Sequence, residues 1–81
     1  MLDLTGYSFV ASYDGSRTAL TRNTEYIVLP YWGYAAVYKD NGAYSSPVLE
    51  VSSKKNYPVP MKFRTPSSQT WYIYSGHLYK K

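Results

Sequence analysis

Apolar and polar residues alternate with a period of two along most of this chain. Residues 7–13, YSFVASY, set Tyr7, Phe9, Ala11 and Tyr13 against Ser8, Val10 and Ser12, the spacing of a strand with unlike faces. Asp14-Gly15 follows, a pair that tolerates positive φ and so predicts a two-residue hairpin turn. That loop would lay Phe9 opposite Leu20 and Val10 opposite Ala19, apolar against apolar. A break at 22–24 precedes EYIVL, a β-branched run over 25–29 that ends at Pro30. The segment YWGYAAVYK (31–39) leads into Asp40-Asn41-Gly42, which suits a three-residue hairpin closed by a glycine. VLEV (48–51) predicts a short strand, and SSKKNYPVP (52–60), polar and rich in proline, an exposed loop. MKFR (61–64) alternates cleanly, with Met61 and Phe63 on one face and Lys62 and Arg64 on the other. TWYIY, Ser75-Gly76 and HLYKK read as a terminal hairpin in which Ile73 faces Leu78 and Tyr72 faces Tyr79.

No stretch sustains a 3.6-residue period, and Gly or Pro punctuates nearly every segment. The pattern therefore predicts an all-β chain: one domain over 1–81, a small antiparallel β-barrel or β-sandwich of about seven short strands. Its expected core is Phe9, Leu20, Ile27, Leu29, Val37, Leu49, Val51, Met61, Phe63, Trp71, Ile73 and Leu78.

Composition changes this picture in one respect. The chain has 11 Tyr against 2 Phe among 81 residues, so most of its ring surface carries a hydroxyl that needs water or a partner. Fully buried cores favour Leu, Ile, Val and Phe, and a Tyr-rich chain implies surfaces wet on one side. A domain this short usually draws on a disulfide, a metal or another subunit for stability. It has no Cys and a single His, which leaves no thiolate or histidine cluster for a metal. Association with other protein subunits, copies of itself or different chains, is the remaining support. Pro30 and Gly33 bracket Tyr31 and Trp32, so this segment is expected to kink. Trp32 then either fills the core or is presented outward.

Catalytic chemistry is hard to assemble from these residues. The acids number 5; Asp14 and Asp40 sit in turn sequences where Asp serves the backbone, and nothing in their spacing pairs Glu25 with Glu50 as acid and base. His77, beside Gly76 in a predicted hairpin, would act as a base only with a nucleophile and an orienting group converging on it, and is expected to be solvated. The glycines are isolated, so no phosphate-cradling loop forms. The chain is therefore expected to be no enzyme and to need no cofactor.

Three binding readings follow. In the first, the rings form a protein–protein interface, Tyr31, Trp32, Tyr34, Tyr38 and Tyr44 in one patch and Tyr72, Tyr74 and Tyr79 in a second, since Tyr and Trp bury much area with few rotatable bonds. In the second, a basic face of Lys54, Lys55, Lys62, Arg64, Lys80 and Lys81 binds nucleic acid with help from aromatic stacking; the net charge is +4, but residues 26–38, where rings are densest, carry no cation. In the third, Tyr31, Trp32 and Tyr34 form a platform for sugar rings. The opening MLDLTGYSF has neither a basic nor an apolar leader region, so no secretion signal is expected, and no apolar run approaches a membrane span.

The stretch DLTGYSF (3–9) resembles the Leu-Thr-Gly-aromatic opening of small β-rich, virion-associated proteins of tailed bacteriophages. The resemblance covers those residues alone and carries over no functional residue. It implies a structural or accessory subunit of a capsid or tail, located in the virion or in the cytoplasm of an infected bacterial cell.

Overall fold

The computed structural model describes residues 4–39, 47–51 and 61–81. Among them the chain is all-β: β1 (Ser8–Ala19), β2 (Glu25–Leu29), β3 (Ala35–Tyr38), β4 (Pro47–Val51), β5 (Met61–Arg64) and β6 (Tyr72–Lys80) form a single antiparallel sheet. The sheet is strongly curled, a half-barrel. Its centre is the last strand. One edge of β6 pairs with β1, from Ser8↔Lys80 to Ala19↔Tyr72. The other edge pairs with β2 over Tyr26↔Lys80 to Leu29↔His77, then with β3 over Ala36↔Ser75 to Tyr38↔Tyr72. β2 and β3 are thus two halves of one line, which β5 and β4 respectively continue outward.

This topology corrects both expected short hairpins. Asp14-Gly15 and Ser75-Gly76 lie inside strands, not between them. Phe9 pairs with Tyr79 instead of Leu20, and Ile73 with Thr18 and Val37 instead of Leu78. The glycines do take positive φ, 95° at Gly15 and 131° at Gly76, but they use it for irregularities within the ladder. Between Asp14↔Ser75 and Thr18↔Ile73, three residues of β1 oppose Tyr74 alone, a bulge that bends the strand. At Gly76 the reason is space. A Cβ there would stand 2.4 Å from Val28 Cγ1 and 3.0 Å from the Leu29 carbonyl oxygen, so only glycine lets β2 and β6 approach this closely.

One face of the sheet holds the core: Leu20, Tyr26, Val28, Ala35, Val37, Met61, Ile73 and Leu78, with Tyr13, Val48, Leu49, Val51, Phe63 and Trp71 packed around them. A single sheet can bury side chains this completely only by curling over them, so this face lines the inside of the half-barrel. Most of the expected core is here, Met61 and Phe63 included, while Lys62 and Arg64 point to solvent as their alternation requires. Three expected core residues lie elsewhere: Phe9 is 57% exposed at the outer side of an edge strand, Ile27 is buried on the opposite face beside Tyr79, and Leu29 is half-buried at the end of β2. Tyr26 joins the core although it carries a hydroxyl, because that oxygen accepts a hydrogen bond from the Thr21 backbone N–H at 2.9 Å. Its ring stacks on Phe63, and Phe63 stacks on Trp71, closing one end of the interior. The expected turn at 40–42 and loop at 52–60 lie outside the described residues.

Candidate functional site

The opposite face of β6 is aromatic, and two local devices shape it. On the β2–β3 side, the line leaves the ladder after Leu29 and rejoins it at Ala36. Between those points Tyr31 and Tyr34 exchange both backbone hydrogen bonds, at 2.8 and 3.0 Å, closing a two-residue loop of Trp32 (φ 51°) and Gly33 (φ 78°). Two positive φ values in such a loop mark a type I′ turn. Trp32 at its tip is 91% exposed. On the β1 side, the bulge at 15–17 carries Arg17 over the Tyr38 ring, 4.2 Å from guanidinium carbon to centroid, and within 5.7 Å of Tyr74.

Ring contacts link the two predicted tyrosine patches through Tyr74 and leave Tyr31 and Tyr79 in separate clusters. Tyr74 meets Tyr34 and Tyr38 edge to face, with centroids 6.5 and 5.9 Å apart. Tyr31 meets Trp32 in the same manner and lies 5.1 Å from the His77 ring. Tyr79, which alternates onto the His77 side of β6, meets Phe9 at 5.5 Å, and Tyr72 is placed beside Tyr38 by their pairing. Tyr44 lies outside the described residues. The expectation of a broad exposed phenolic surface needs correcting, however. No described tyrosine is fully exposed, and Tyr38 is buried, at 9%. The phenols pack against one another and against Arg17, so the strongly exposed rings among the described residues are Trp32 and Phe9. Tyr31 and Trp32 meet at 73°, and Tyr34 packs on Tyr74 instead, so the flat platform expected for a sugar is not formed.

Polar tips on this face are tied to the fold. The Tyr34 hydroxyl donates to Glu50 Oε2 at 3.4 Å, and its pKa is raised above the usual tyrosine value, chiefly by burial and then by hydrogen bonding to Tyr38 and the nearby Glu50 charge. His77 does not sit in a solvated turn. It is half-buried in mid-strand, with Nδ1 2.6 Å from Ser12 Oγ. A hydroxyl and an imidazole therefore do converge, which the predicted hairpin could not reveal because Ser12 and His77 are 65 positions apart in the chain. Among the described residues no carboxylate is hydrogen-bonded to the other ring nitrogen. No group of three or more potential metal-ligating His, Cys, Asp or Glu side chains occurs among them either.

The basic residues gather elsewhere. Arg64 and Lys81 pair with Glu25 at 3.2 and 3.5 Å, and Tyr7 donates its hydroxyl to the same carboxylate at 3.2 Å. These contacts hold the Glu25 carboxyl below its ordinary value, the Tyr7 hydrogen bond contributing most and the Lys81 charge next. Asn23, Thr24, Glu25, Arg64, Lys80 and Lys81 line an open cleft of about 370 Å³. Lys62 reaches the same corner over the Tyr7 ring. Lys54 and Lys55 lie outside the described residues. Glu25 and Glu50, on different strands with different partners, form no acid–base pair.

No protein-family model, curated protein or solved structure matches this chain. Among the described residues, no helix is long and apolar enough to cross a membrane.

Proposed function

We propose that this protein is a non-enzymatic protein–protein interaction module, a structural or accessory subunit of a larger assembly such as a phage capsid or tail, which docks through the Trp32 hairpin and the ring surface beside it. The observation that carries this reading is Trp32 itself. A bulky residue held at φ 51° is strained by roughly 1–2 kcal/mol relative to glycine. At 91% exposure the indole gains almost nothing from burial in its own chain. Asn or Gly would serve the turn better. A side chain that harms the isolated fold while offering the largest apolar surface of any residue is suited to a contact made with another molecule, and Trp is among the residues most enriched at the energetic centres of interfaces. Tyr31 and His77 behind it provide a packed base, so little ordering remains to be done on binding. The virion or the infected-cell cytoplasm as its location, and the phage setting, rest on the N-terminal resemblance.

The test compares the intact chain with Trp32→Gly. The intact chain should self-associate in sedimentation velocity or retain a protein partner from its native source after nuclease treatment. Trp32→Gly should lose that association at least tenfold while melting at the same or a higher temperature. A monodisperse intact chain that retains no protein, or an association indifferent to Trp32→Gly, would overturn the reading.

A further inference from the structure

We infer that the corner where β2, β5 and the end of β6 meet is a second, separate binding site, for the phosphodiester backbone of a single-stranded nucleic acid. Arg64 and Lys81 pair with Glu25 here, Lys62 reaches over the Tyr7 ring beside them, and Lys80 lines the cleft from the end of β6. Glu25 is already engaged by Arg64, Lys81 and the Tyr7 hydroxyl; its role is to hold cationic groups in place, and the corner keeps a net excess of positive charge. Arg64 is fixed further by Asn23, whose side-chain oxygen accepts from Nε at 3.1 Å and whose carbonyl accepts from a terminal nitrogen at 3.3 Å. Lys62, exposed on the same face of the sheet as Arg64, is left to face an incoming anion.

Tyr7 favours nucleic acid over an acidic polypeptide. Its half-buried ring has the ammonium groups of Lys62 and Lys81 within 5.8 and 6.0 Å of its centroid, and its hydroxyl is anchored on Glu25. A ring held in place between two cations offers a stacking surface for a base beside charges for its phosphates, the combination by which single strands are held without sequence preference. A peptide carboxylate would use the cations and leave the ring without a role. The site is distinct from the Trp32 hairpin and does not depend on it.

Fluorescence anisotropy with a labelled oligothymidylate of about 20 nucleotides, at about 50 mM salt, tests this on the intact chain. Binding should weaken steeply as salt rises. Lys62→Ala leaves the Glu25 ion pairs in place and should weaken binding several-fold while lowering the slope of log K against log salt by about 0.7, one phosphate contact's worth. Trp32→Gly should bind the oligonucleotide as the intact chain does, which separates this site from the protein interface. Absence of binding, a Lys62→Ala variant that binds unchanged, equal loss in Trp32→Gly, or equal competition by polyglutamate would each overturn the assignment.

Discussion

The two faces of β6 show what different side chains ask of one backbone. On the inner face Ile73 and Leu78 are almost wholly buried, at 0% and 2% exposure, and need nothing from their neighbours but shape. On the outer face Tyr74, His77 and Tyr79 are only half-buried, and each is placed by a particular contact: Arg17, Tyr34 and Tyr38 around Tyr74, Ser12 and Tyr31 at His77, Phe9 at Tyr79. The inner face stabilises by exclusion of water. The outer one stabilises less per residue but fixes where each ring lies.

Gly76 lies against Val28 and Ala35 of the inner face, and changing it should have the largest effect. Gly76→Val would drive a side chain into Val28 and the Leu29 carbonyl at a backbone angle that branched residues avoid. We expect a loss of more than about 3 kcal/mol, read by urea denaturation, and a chain close to unfolded. Ile73→Ala, a cavity in the inner face, should cost about 3 kcal/mol, whereas Tyr74→Ala on the outer face should cost about 1–2 kcal/mol. Equal losses at the two positions would erase the distinction between the faces.

The smallest effect is in pH. Tyr34 titrates above the ordinary tyrosine value of 10.0 in the folded chain, so once pH passes that value the unfolded chain releases this proton while the folded one retains it, and stability falls. The contribution is fully present below pH 10 and lost on the alkaline side. Thermal melts across this range should show the decline, and Tyr34→Phe should flatten it.

Much of this fold was legible in the chain where local pattern and tertiary demand coincide. The EYIVL and VLEV runs became β2 and β4, and the alternation of Met61 and Phe63 with Lys62 and Arg64 placed the core side of β5 correctly. Asp14-Gly15 and Ser75-Gly76 misled because positive φ serves a bulge or a close strand approach as well as a turn, and nothing local separates these uses. The partner that decides between them is some 60 residues distant, as Ser12 and His77 are. The placement of the tyrosines on β3 and β6 followed from alternation, but their exposure did not: Arg17, delivered by an unforeseen bulge, covers Tyr38. Trp32, which composition left open between core and surface, was decided by the Trp-Gly turn.

β6, last of the six strands in chain order, lies between β1 and the β2–β3 line. The β2–β5 and β3–β4 pairs can form without it, but nothing else joins them to each other or to β1. Three separate pieces of ladder therefore become one curled surface only when residues 72–80 take their place, so a lesion in β6 reaches every part of the sheet at once.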